Sequence, residues 1–140
     1  MSRSHYTEGG DNLHLWREAV YRAVHGRRGQ AFLRRLLGEL DAMWRRELIT
    51  EHLVTDNGAR CALGVILGRK ARELKPDDHA AIGRALDIGR SLVQEIEFIN
   101  DEGCQRKESG AERWVRVRQW VCRKIDVTPE ELVTDTGGAT

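Results

Sequence analysis

The sequence predicts an all-α protein, a compact single-domain bundle of six or seven short helices. Three observations carry that expectation. Apolar residues recur at spacings of three and four in successive stretches, the period of an amphipathic helix. Each stretch is bounded by residues that start or stop helices. The most apolar segment, Cys61 to Gly68, carries small residues at Ala62, Gly64 and Gly68, so other elements can approach it closely. It is read as the central helix of a small core. A chain of 140 residues suits one domain with a core that needs neither disulfides nor metals. We read 11–134 as that domain, with 1–10 and 135–140 as flexible ends.

In chain order, Asp11 caps a first helix over about 12–24, with Leu13, Trp16, Val20 and Val24 on one face. The run Gly26-Arg27-Arg28-Gly29 breaks it. A second helix over about 30–44 has the clearest amphipathic pattern, burying Phe32, Leu33, Leu36, Leu37, Leu40 and Met43. Residues 46–54 fit either a short helix or one arm of a small hairpin, and the helix is favoured. Asn57-Gly58 is a turn signal, because both residues tolerate positive φ. The central helix then covers about 60–73.

Pro76 disfavours a helical Lys75, and Asp77 can cap a helix over about 77–86. Asp87 is read as the cap of the next, about 88–101, with Ile88, Leu92, Val93, Ile96 and Ile99 inward. Ser109-Gly110-Ala111-Glu112 matches a capping box that opens a helix over about 110–125, burying Trp114, Val117, Val121 and Ile125. Thr128-Pro129-Glu130-Glu131 starts a short last helix ending near Val133.

Composition excludes several classes. Apolar content of 40% and charged content of 32% describe a globular chain, not a disordered one. A formal net charge of +1 means that binding to nucleic acid or an anionic membrane must come from local patches. The longest apolar run is far short of the ~20 residues of a membrane span, so no membrane partner is expected. Met1 to Tyr6 is polar, which predicts no secretory leader. Cys61, Cys104 and Cys122 are an odd set without CxxC spacing, as in reduced cytoplasmic proteins.

Ordered along the chain stand Arg28-Gly29-Gln30-Ala31-Phe32-Leu33, Leu40-Asp41-Ala42-Met43, Leu48-Ile49, Cys61-Ala62-Leu63-Gly64, Asn100-Asp101-Glu102 and a closing helix with Arg113-Trp114. Over roughly residues 25–125 this set resembles a group of small bacterial prophage and phage proteins marked by RGQ-FLR, CALG and ND segments. The residues from Trp44 to Arg46 and the charge pattern of the closing helix are particular to this sequence. The group carries no assigned activity, so no catalytic residue transfers. What the resemblance implies is context: an accessory protein of a mobile element, of the kind that acts on host machinery such as CRISPR and other defence systems.

Two stretches are candidate contact sites. His25-Gly26-Arg27-Arg28-Gly29-Gln30 joins glycines, guanidinium groups and a helix start, the ingredients of an anion or acidic-partner site. It lies in a run from Ala19 to Gly38 that contains no acid. On the closing helix, Arg113, Arg116, Trp120 and Arg123 share a face at spacings of three and four, suited to stacking on bases or anchoring in a protein pocket. The plainer readings are solvated arginines in a turn, and a half-hidden tryptophan flanked by arginine stems.

Other chemistry is weaker. Glu95, Glu97, Asn100, Asp101 and Glu102 lack the spacing of a calcium loop, and Asn100-Asp101 is read as a helix end that pairs with an arginine or accepts amides. Cys61 as a nucleophile would need a base, for which His52 and His79 are nearest in sequence; a packed thiol is the preferred reading. Cys61, Cys104 and His79 show no metal-ligand spacing. No catalytic residue, cofactor or metal is expected.

The functional expectation is therefore a non-catalytic phage or prophage accessory protein. It would bind a host protein or ribonucleoprotein complex, as an anti-CRISPR-like inhibitor does, by steric occlusion. The contact residues would be Arg27, Arg28, Arg113, Arg116, Trp120 and Arg123. Direct nucleic-acid binding by a regulator is the alternative, and small-ligand or nucleotide binding the second alternative. Trp16, Trp44 and Trp120 exceed what a small core readily hides, so a homodimer is open as well.

Overall fold

The computed structural model describes residues 13–104 and 106–127. The expected Asp11 cap, the last helix at Thr128 and both chain ends lie outside these residues. The described residues form six α-helices and one 3₁₀ helix in one compact domain, and they contain no strand. The helices are α1 (Leu13–His25), α2 (Arg27–Asp41), α3 (Ala62–Leu67), α4 (His79–Leu86), α5 (Arg90–Glu102) and α6 (Gly110–Lys124), with the 3₁₀ helix (Gly68–Glu73) continuing α3. The all-α expectation holds.

α2 is the spine. Its buried face of Phe32, Leu33, Leu36 and Leu40 packs between α3 and α6. α6 runs back along it: Trp114 Nε1 donates to the Leu40 carbonyl at 3.1 Å, while Asp126 N donates to Gln30 Oε1 at 2.7 Å. α5 closes the other side against α1, α3 and α4. The α1–α2 junction is tight because a Cβ at Gly29 would fall 1.8 Å from the Ala23 carbonyl oxygen. Only glycine lets the two helices meet there.

The capping box at Ser109 and Glu112 forms as the sequence predicts. Asp78, not Asp77, caps α4, its carboxylate accepting from Ala81 N at 3.1 Å, and three further local expectations are corrected. Asp87 does not cap α5; it adopts φ 56° and closes α4, and Gly89 opens α5. A short αL turn at an aspartate serves both helices. The central stretch is also not one helix. It changes to 3₁₀ at Gly68, whose φ of 60° breaks the α-helical run.

The last correction concerns residues 46–54, which are not helical. Leu48 and Ile49 run extended, their amides bonded to the Gly110 and Arg60 carbonyls at 3.0 Å each. Val54 and Arg60 pair across an antiparallel bridge that spans the Asn57-Gly58 turn. The hairpin arm describes this segment better. Leu48 and Leu53 are both buried, at a spacing of five that fits neither one helix face nor one strand face.

Candidate functional site: a polar groove beside an exposed tryptophan

The motifs that stand out in the sequence turn out to hold the scaffold. Gln30 gives its amide protons to the carbonyls of Val24 and Lys124, at 2.7 and 2.9 Å, and accepts from Asp126 N. One side chain thereby ties α1, α2 and the end of α6. Cys61 is the N-cap of α3, its sulfur accepting from Gly64 N at 3.4 Å, and it is wholly buried. A Cβ at Gly64 would lie 1.8 Å from the Leu53 carbonyl oxygen, so that glycine seats the irregular segment against α3.

The Asn100-Asp101 pair is a clamp on the same segment. Asn100 Nδ2 donates to the Ile49 carbonyl at 2.8 Å, and its Oδ1 accepts from Ala62 N at 3.1 Å. Asp101 accepts from the amide of Glu51, a residue held at φ 65°. The expectation that Asp101 accepts amides describes this geometry.

The six sequence-derived contact residues divide into two sets. Arg27, Arg28 and Arg123 are exposed, and α6 ends beside the start of α2, so they share one end of that helix pair. Arg28 faces Asp87 at 3.2 Å. The other three do not form an outward face, which corrects that part of the reading. Trp120 is only 6% exposed and belongs to the core. Arg113 donates to the Leu48 carbonyl at 2.7 Å. Arg116 donates to the Ile99 carbonyl at 2.6 Å and to the Asn100 carbonyl at 3.3 Å. Both arginines also meet Glu108, at 3.2 and 2.7 Å. Arg113 thus serves a carbonyl of the irregular segment, and Arg116 serves carbonyls in the last turn of α5. A helical wheel shows these residues on one face but not which neighbour covers it.

Hydrogen bonds from Arg116, reinforced by the charges of Arg116 and Arg113 and by a hydrogen bond from Cys104, hold the Glu108 carboxyl below its usual range against the opposing effect of burial. Asp41 is lowered too, first by hydrogen bonds from Arg118 and then by the Arg118 and Arg46 charges.

Helical periodicity alone does not reveal a buried polar contact between α4 and α5. His79 Nε2 lies 2.7 Å from Glu97 Oε2, with both side chains in the core. The signal available was a polar residue on the inward face of each of α4 and α5. Neither Cys61 nor a metal site uses His79: among the described residues no group of three or more His, Cys, Asp or Glu could hold a metal.

A groove of about 610 Å³ opens between the 43–60 segment and the start of α6. Arg45, His52, Asn57, Arg60 and Arg113 line it, with Glu47 as the acid on that lining. Asn57 and Thr55 build its outer wall: the Thr55 hydroxyl donates to Asn57 Oδ1, which also accepts from Ala59 N at 3.3 Å. Trp44, between the groove-lining residues Met43 and Arg45 in the chain, is fully exposed, at 101%. A second, smaller depression of about 450 Å³ is lined by Asp41, Arg46, Trp114, Val115 and Arg118. There Arg46 lies over the Trp114 ring at 4.8 Å and donates to the Asp41 carbonyl. Trp44 attracted no site reading from the sequence beyond its contribution to apolar surface, because one tryptophan between helices has no periodicity to betray its exposure.

No family model, curated protein or solved structure matches the chain. Cys61, His79, Glu97 and Asn100 are buried among structural contacts, whereas Cys122 is exposed and His52 lines the groove. Arg45 and Arg46, which follow Trp44 in the chain, are exposed.

Proposed function

We propose that this chain is a non-catalytic binding protein that docks on a host macromolecule, a protein or a ribonucleoprotein, and occludes it. The observation that carries this reading is Trp44, fully exposed and followed by Arg45, which lines the groove, and Arg46, which lines the second depression. Burying one such ring removes a large apolar area from water, and tryptophan with arginine dominates measured interface energetics. Trp44 lies in the turn after α2, where Arg46 donates to the Asp41 carbonyl and sits over the Trp114 ring. The resemblance to prophage and phage proteins supports a partner in a bacterial host. An anti-defence inhibitor that blocks by bulk is the form this reading takes. That no described helix is long and apolar enough to cross a membrane is consistent with it.

A photo-crosslinking amino acid in place of Trp44 tests the proposal in lysate of a bacterial host. A discrete product is expected from position 44 and none from position 73, an exposed site on the 3₁₀ helix. Excess unlabelled protein should compete, and Trp44→Ala protein should not. Equal labelling from both positions would overturn the reading.

A further inference from the structure

We infer that the Trp44 rim receives a single-stranded nucleic acid, with Trp44 stacked on a base and the arginines on either side meeting phosphates. The inference rests on the docking reading above and names the chemistry of the partner.

The first ground is charge. Around the rim, cations outnumber the acids that face them. Arg46 and Arg118 share Asp41. Arg113 and Arg116 share Glu108. Arg60 donates to the carbonyls of Gly64 and Gly68, at 2.8 Å each, and neutral acceptors leave its charge intact. Arg45 is balanced by Glu47 at 3.1 Å, but both side chains are exposed and that pair opens at small cost. Each depression beside Trp44 thus carries a surplus of positive charge. Glu51 and Asp56 belong to the same segment but do not line the groove. The surplus calls for an anionic occupant.

The second ground is the setting of the ring. A protein hot spot is ringed by contacts that exclude water. Half-buried Met43 precedes Trp44, exposed Arg45, Arg46 and Glu47 follow it, and Val115 is the exposed aliphatic residue of the neighbouring depression, so charge outweighs apolar surface in this stretch. A ring standing among cations matches a ligand that alternates aromatic faces with negative charges. A single strand has that alternation, and stacking tolerates any base. In a duplex the bases are already stacked, so the ring would find no free face. The groove also offers Asn57, Thr50 and His52 to polar base edges.

Fluorescence anisotropy with labelled oligothymidylate, oligouridylate and a matching duplex tests this on the full chain. Either single strand should bind at low salt, more tightly than the duplex, and weaken as salt rises. Trp44→Ala should weaken binding about tenfold or more, and Trp44→Phe should retain most of the affinity because a face for stacking remains. Arg45→Glu should weaken binding and flatten the salt dependence, whereas Arg72→Glu and Arg84→Glu, exposed and distant in sequence, should change it less than about twofold. Circular dichroism confirms that each variant is folded. Absence of strand binding at low salt overturns the inference, and so does equal loss in Trp44→Ala and the two controls. A position-44 crosslink that survives nuclease treatment, with no strand binding, overturns this inference and leaves the docking reading standing. No crosslink and no strand binding overturns both.

Discussion

The α2–α6 pair and the segment between Ala42 and Cys61 are folded by opposite means. In the helices each backbone amide finds its acceptor four residues back, and side chains only decide which face turns inward. In the segment the backbone is satisfied from elsewhere. The Leu48 carbonyl takes Arg113, the Ile49 carbonyl takes Asn100, the Leu48 amide takes Gly110 and the Glu51 amide takes Asp101. A helix can form and then dock. This segment has a defined shape only once α3, α5 and α6 are in place. The rim that carries Trp44 is thus the part of the molecule most dependent on long-range contacts.

Glycine substitutions test the close contacts behind that comparison and carry the largest expected effects. Gly64→Ala puts a methyl group against the Leu53 carbonyl, where backbone has no room to yield. We expect a loss of about 3 kcal/mol, the upper range for overpacking, measured by urea unfolding. Gly38→Ala is the counterpart on α2, where nothing lies within 4 Å of the added carbon. It should stabilise the protein by about 0.5–1 kcal/mol, since alanine loses less backbone freedom in a helix. A neutral Gly64→Ala would mean that the segment is not pinned where α3 begins.

How much was legible follows from the same contrast. α2 and α6 were readable because Phe32, Leu33, Leu36 and Leu40, and Trp114, Val117 and Val121, repeat at helical spacing. The capping box was readable because both partners lie within four residues. The 46–54 segment was not, because its partners are at Arg60, Asn100, Asp101, Gly110 and Arg113. The outward face expected on α6 was misjudged for a related reason. Arginines at Arg113 and Arg116 look like solvated cations until the carbonyls they serve are known. Gln30, Cys61, Gly64 and Asn100, within motifs that stand out in the sequence, hold the fold. Trp44 to Arg46, in no such repeat, carry exposed surface.

Asn100→Ala separates the two regions more finely. The change leaves the Ile49 carbonyl and the Ala62 amide without their partner in a buried setting, at a cost of about 2 kcal/mol. The loss should be uneven. Hydrogen exchange should accelerate at Ile49, Glu51 and Cys61 while amides inside α2 and α6 keep most of their protection. Strand binding at the rim should weaken as well, although Asn100 lies behind it. Uniform loss of protection would show that the segment and the helices open as one unit.

Glu108 gives the smallest effect and the one set by pH. Its carboxylate lies between Arg113 and Arg116, which hold the Leu48, Ile99 and Asn100 carbonyls, and its side chain is 7% exposed. The hydrogen bonds from Arg116 and the two cations lower its pKa in the folded state from the ordinary 4.5. A carboxylate with a depressed folded pKa adds stability that is complete above the unfolded pKa and disappears as pH falls through the folded one. Glu108→Gln should therefore cost about 1–2 kcal/mol at neutral pH and progressively less as the pH drops below that range. Asp41 shifts the same way, but its pair with Arg118 is more than a third exposed on both sides, so Asp41→Asn should cost well under about 1 kcal/mol. Thermal melts of the two variants across that pH interval should diverge for Glu108 and nearly coincide with the wild type for Asp41. If they behave alike, the Glu108 cluster holds the segment no more firmly than a surface ion pair does. The dependence of the Trp44 rim on α6 would then have to come from the Gly110 and Leu48 backbone contact alone.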